Sequence, residues 1–216
     1  MWLLHLIKRQ QLPLPWPLSC ALLCGLLAGC ATLPGSDRAA EPGAGAQQAA
    51  APAAALTLYE QAVSSMAAGD DIEAELRFGE FLLRYPDFPG AHVNMAILKA
   101  RAGDDLQAEA SLERALAIAP QHAAALNQLG MLRRRQGRFM DAEVAYEAAA
   151  AADPAYALPH YNLGVLNELY LQRLEAALGH FQKYQELGGD DEQVEKWIVD
   201  LERRIAANQR TANVTE

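Results

Sequence analysis

The stretch "ALNQLGMLRRRQGRFMDAEVAYEAAAAADP", residues 125–154, reads as two amphipathic helices around a sharp turn. Leu126, Leu129, Gly130 and Arg133 fall on one face at helical spacing. Gly137, inside "RQGRFMD", is free to take the left-handed backbone that ends a first helix. The second helix carries Ala142, Tyr146 and Ala149 and stops at "AADP", because Pro154 lacks the N–H needed to continue it.

The same punctuation recurs on either side. Pro86, Pro120 and Pro154 keep a 34-residue spacing, and Gly69, Gly103 and Gly137 keep the same interval. So do Ala74, Ala108, Ala142 and Ala176, in "EAEL", "QAEA", "DAEV" and "EAAL". Three interleaved series at one period define a repeat of helix pairs, with the alanines where paired helices cross too closely for larger side chains. Composition agrees. Half of the 216 residues are apolar, and alanine outweighs the β-branched and aromatic residues a sheet would want.

These units resemble tetratricopeptide repeats. Leu129-Gly130 and Leu163-Gly164 match the family's Leu-Gly pair, which Met95-Ala96 approximates. Ala74 with Phe78, and Ala142 with Tyr146, match its small residue followed four on by an aromatic. No unit has the leading Trp, whose place is held by Leu58, His92, Leu126 and His160. The first unit has Gln61-Ala62 for Leu-Gly, and in the fourth Leu171 and Gly188 replace the turn glycine and the proline. The resemblance implies an all-α, right-handed solenoid of four units at 55–88, 89–122, 123–156 and 157–190. A capping helix is expected over 191–209, with Asp190 as its cap and Val194, Trp197, Ile198, Leu201 and Ile205 as its apolar stripe, before a frayed 210–216.

The N-terminus follows a different logic. Lys8 and Arg9 precede a short apolar run from Leu18 to Ala28, broken from anything longer by Pro13, Pro15 and Pro17. A bilayer-spanning helix needs about 20 apolar residues, so residues 1–29 read as a cleaved secretory signal. Leu27-Ala28-Gly29-Cys30 resembles the lipobox of bacterial lipoproteins, which implies that Cys30 carries lipid and becomes the mature N-terminus. Ala31-Thr32 follows in place of the aspartate that retains such proteins at the inner membrane. The resemblance therefore implies the outer membrane of a Gram-negative envelope, facing the periplasm. Residues 30–54, short of large apolar side chains and rich in Ala, Pro and Gly, read as a disordered tether.

Little in the chain suggests chemistry. The net charge is −9, and becomes −11 once Lys8 and Arg9 are removed, so nucleic acid is excluded as a partner. No two of the five histidines stand in sequence at metal-ligand spacing, and there is no His-Glu-x-x-His, Gly-x-Ser-x-Gly or phosphate loop. Asp70-Asp71, Asp104-Asp105 and Asp190-Asp191 lie beside glycines at turns, where aspartate caps helices, and lack the further oxygen ligands that Ca²⁺ needs. We expect no enzyme activity, cofactor, metal or small-molecule substrate.

In the tetratricopeptide family the first helices line the concave face. Three rows follow at 34-residue spacing: Tyr59, Val93, Asn127 and Tyr161; Val63, Ile97, Met131 and Val165; Ala67, Arg101, Arg135 and Leu169, with Arg134 alongside. The apolar middle row either packs between neighbouring first helices or floors a groove for a peptide with apolar anchors and acidic flanks. The expected partners are an envelope protein in that groove and the membrane through the lipid. Type IV pilus pilotins and the repeat lipoprotein of the β-barrel assembly machine are similar in plan, which implies a role in assembling an envelope machine. A regulatory lipoprotein for a peptidoglycan enzyme is the alternative.

Overall fold

The computed structural model describes residues 53–214. The signal segment, Cys30 and all of the tether but its last two residues lie outside them, as do residues 215 and 216. The described chain is a run of helices: α1 (Ala53–Ala68), α2 (Asp71–Arg84), α3 (Pro89–Arg101), α4 (Asp105–Ile118), α5 (Ala123–Arg135), α6 (Phe139–Ala152), α7 (Ala157–Leu169), α8 (Leu174–Glu186) and α9 (Glu192–Val214). Each of the four repeats holds one pair, from α1–α2 to α7–α8. First helices touch across repeat boundaries, α3 on α5 and α5 on α7, which places them on the inner side and the second helices on the outer.

Local chemistry sets the helix ends. Gly69, Gly103 and Gly137 have φ of 81°, 81° and 75°, a region that costs other residues free energy. Each glycine lets the next residue's N–H reach back five positions, as Asp104 does to the Lys99 carbonyl at 2.9 Å. Asp70 and Asp104 then cap α2 and α4, their carboxylates accepting from the Glu73 and Gln107 N–H at 3.1 and 3.0 Å. The two capping aspartates are thereby accounted for without calcium.

Between paired helices the backbone approach is close. A Cβ on Gly130 would lie 2.5 Å from the Tyr146 ring, and one on Gly164 2.5 Å from Phe181. Ala74, Ala108 and Ala142 are fully buried at the same crossings. The expected fourth member, Ala176, is not. It is exposed, and Ala177 is the buried alanine. The cause lies in the preceding turn. The 34-residue step from the start of α2 to that of α4, and from α4 to α6, lengthens by one between α6 and α8. The additional residue moves every inward position of α8 along by one, so Phe181 rather than His180 fills the aromatic place. Gln172, at φ 55°, takes the left-handed position that was assigned to Leu171.

Helix α9 covers the last apolar surface. Val194, Ile198, Leu201 and Ile205 are buried along one side, with Trp197 against Tyr161 and Phe181 at 6.1 and 5.4 Å between ring centres. The carboxylate accepting from the Gln193 N–H belongs to Asp191, at 2.9 Å, and not to Asp190. The helix also continues to Val214, past the expected end at 209. Arg204 ties it to α7 through Glu168 at 2.8 Å.

Candidate functional site on the concave face

The three rows have different fates. Tyr59 stands among Phe78, Phe81 and Phe88, with ring centres 5.7, 5.5 and 5.1 Å away. Its hydroxyl accepts from Asn94 Nδ2 at 2.8 Å, and burial raises its pKa. Val93 and Asn127 are buried, and Tyr161 is half-covered by Phe181, Tyr184 and Trp197. The first row is therefore mostly a packed seam. Asn127, the polar member, is satisfied there: its Oδ1 accepts from Asn162 Nδ2 at 2.9 Å across α5 and α7. Asn94–Tyr59 and Asn162–Asn127 are one bond repeated two units apart, and its signal in the sequence is a pair of asparagines separated by two repeat periods.

The middle row is divided. Val63 is half-buried, Ile97 packs against the core cluster of α3–α5, and Val165 is buried. Met131 alone is open, at 39% exposure. It stands at a cleft of about 350 Å³ backed by Ala96, Ala100, Ala108 and Leu112 and lined by Gln128, Leu132, Arg134, Arg135 and Tyr170. The reason for the cleft is visible in the repeat. Leu112 stands where the other units have Phe78, Tyr146 and Phe181, so the second repeat lacks a ring and leaves space between itself and the third.

The arginines also divide. Arg101 pairs with Asp71 at 2.7 Å. Arg135 is held by Asp105, and its Nη1 donates to the Ala100 carbonyl at 2.7 Å. Arg133 pairs with Glu109 at 3.0 Å. Among the described residues of this face, Arg134 is the cation with no carboxylate partner. Beside it, the Tyr146 hydroxyl is buried without a hydrogen bond among the described residues. Burial pushes the Tyr146 pKa up to about 12, against a lowering by Arg134. The cleft thus presents an apolar wall, the Met131 thioether and one unneutralised guanidinium. That chemistry suits an apolar anchor next to a carboxylate.

Histidines that the sequence leaves scattered are brought together in one place. His160 and His180 face each other with Nδ1 atoms 3.3 Å apart and ring centres 5.6 Å apart. The nitrogens lie nearly on the line between the ring centres, the geometry of one shared proton rather than of two ligands converging on a metal. No group of three or more metal-ligating side chains occurs among the described residues. Burial, then Lys183, lowers the pKa of His160; burial, then His160, lowers that of His180. The unfolded chain takes up protons near 6.5, before the folded one does, so this stabilisation is complete above that pH and lost as the pH falls below it. The melting temperature should fall between pH 7 and pH 5, with a shallower slope in a His160→Asn/His180→Asn double variant; equal slopes would reject this assignment. Elsewhere, His122 Nδ1 caps α5 by accepting from the Ala125 N–H at 3.2 Å, and His92 Nε2 donates to the Pro86 carbonyl at 2.7 Å.

No helix among the described residues is long and apolar enough to cross a membrane. No protein-family model matches the sequence, and no curated protein sequence does. Solved structures do. The chain is similar to the pilF protein of Pseudomonas aeruginosa, with TM-score 0.65 and 20% identity over 71% of this chain and 70% of that one. A thermophilic tetratricopeptide-repeat protein of Thermus thermophilus has TM-score 0.60 and 20% identity, over 68% of this chain and 80% of its own. MamA of Desulfovibrio magneticus has TM-score 0.59 and 22% identity, over 75% and 91%. The described chain has the fold of the tetratricopeptide-repeat solenoids.

Proposed function

We propose that the protein is a non-catalytic interaction scaffold, anchored by lipid on Cys30 to the outer membrane and facing the periplasm. Its concave cleft takes a segment of an envelope protein bearing an apolar side chain beside an acidic group. Through that contact it assists assembly of an envelope machine for pili, secretion or outer-membrane biogenesis. The observation that carries the groove reading is Arg134, a cation without a carboxylate among the described residues, next to exposed Met131 at the cleft mouth. Such a guanidinium can donate two bonds to one carboxylate, and in a chain of net charge −9 it offers an acidic segment a local point of attraction. The lipobox-like Leu27-Ala28-Gly29-Cys30, behind a basic flank and a short apolar run, supports the anchor.

The test is a salt titration of binding with a partner captured by the full-length protein. Arg134→Glu should weaken binding about tenfold or more at low salt and flatten its salt dependence. Met131→Ala should weaken it while the salt dependence remains. Arg135→Glu would disturb the Asp105 pair and is the poorer probe. Undiminished binding of Arg134→Glu at low salt would overturn the groove reading. Capture of a peptidoglycan enzyme would select the regulatory role over the assembly role.

A further inference from the structure

The outer face of the first three repeats carries apolar side chains that the fold does not use. On α2 the residues Ile72, Leu76, Gly79 and Leu83 share one face, at helical spacing. One repeat on, α4 presents Leu106, Ala110, Glu113 and Ala117, and α6 presents Met140, Val144, Glu147 and Ala151. Ile72, Leu106 and Met140 form a row at 34-residue spacing, exposed by 87%, 81% and 55%. Leu76, Val144 and Leu83 are exposed by 68%, 65% and 86%. Single exposed leucines are ordinary; large apolar residues at the same register on three successive outer helices mark one apolar band of this face. The band ends at the fourth repeat, where the one-residue shift of α8 puts Glu175 and Gly179 in the matching places.

Charge narrows what can lie on it. Other carboxylates of these outer helices are paired, Glu75 with Lys99 at 2.6 Å, Glu109 with Arg133 at 3.0 Å and Glu143 with Arg173 at 2.7 Å. Glu113 and Glu147, one repeat apart on the exposed face, have no cation among the described residues. We propose that this convex band docks an amphipathic helix of a partner protein, with an apolar stripe on the rows of Ile72 and Leu76 and basic residues meeting Glu113 and Glu147. A second copy of the chain would set these carboxylates against their like on a molecule that is also acidic. A bilayer would bury both carboxylates without partners.

The probe is an amphipathic helical peptide of leucine, alanine and lysine, with lysines along the edges of its leucine stripe. Its counterpart has glutamate in place of lysine. With the full chain, purified as the cell processes it, the lysine peptide should bind at least tenfold tighter than the glutamate peptide. Leu106→Ser/Met140→Ser and Glu113→Lys/Glu147→Lys should each weaken it at least tenfold. Both should leave the helical melt unchanged, since these side chains are exposed. Arg134→Glu, on the opposite face, should not matter, so the groove and the band fail separately. Equal binding of the two peptides, or indifference to the double variants, overturns the proposal. So does a dimer that Leu106→Ser/Met140→Ser abolishes, which gives the face to a second copy. Exchange protection of α4 and α6 on phosphatidylcholine vesicles without peptide also overturns it, in favour of a lipid surface.

Discussion

Phe181→Ala should lower the stability of the solenoid by about 3–5 kcal/mol, the cost of deleting a buried aromatic side chain. The ring is fully buried, rests on the Gly164 backbone where no Cβ would fit, and packs on Trp197 at 5.4 Å. Three helices, α7, α8 and α9, therefore lose their common packing partner at once. Because each repeat is supported only by its neighbours, the loss should appear first as early unfolding of the C-terminal end. A paired test fixes the register. Ala177→Leu should overpack a fully buried crossing and cost about 1–3 kcal/mol or more, whereas Ala176→Leu, on the exposed side, should change little. Urea melts followed by circular dichroism measure both. If Ala176→Leu were the damaging variant, α8 would be turned by one residue from the register that buries Ala177.

Cys30→Ser should remove the protein from the outer membrane. Acyl chains contribute about 0.8 kcal/mol for each buried methylene, so several chains on one cysteine make partition all or none. In wild type, intact mass should show a chain beginning at residue 30 with diacylglycerol in thioether linkage to the Cys30 sulfur. The variant should remain uncleaved or be found away from the outer membrane. A wild-type chain with a free thiol at Cys30, or a mature start at another residue, would rule out the anchor.

The helix pairs were legible because their breakers are chemically distinct. Gly69, Gly103 and Gly137 hold left-handed backbone, and Pro86, Pro120 and Pro154 interrupt helices, so both leave marks at a fixed period. Where the marker is lost the reading slips. Gln172 takes the left-handed place without a glycine to signal it, and "EAALGHF" offers alanines at both 176 and 177, so the shift of α8 was hidden. The cleft was hidden differently. Row spacing places Val93, Asn127 and Met131 on first helices, yet only packing determines that the first two are buried and the third exposed. The pairing of Arg101 and Arg135 with Asp71 and Asp105 depends on contacts between neighbouring repeats that periodicity alone does not specify. Arg134, adjacent in sequence to two paired arginines, differs from them only in which way its helix turns it.

The most direct test of the scaffold account is site-specific photo-crosslinking in cells that make the full-length protein. A photoreactive residue at Met131, at the cleft mouth, should yield an adduct with an envelope protein. The same residue at Val199, on the exposed side of α9, should not give that adduct. The Met131 adduct should disappear when Arg134→Glu is added. An absent adduct at Met131, one shared equally with Val199, or one that persists with Arg134→Glu would contradict a partner held in the concave cleft.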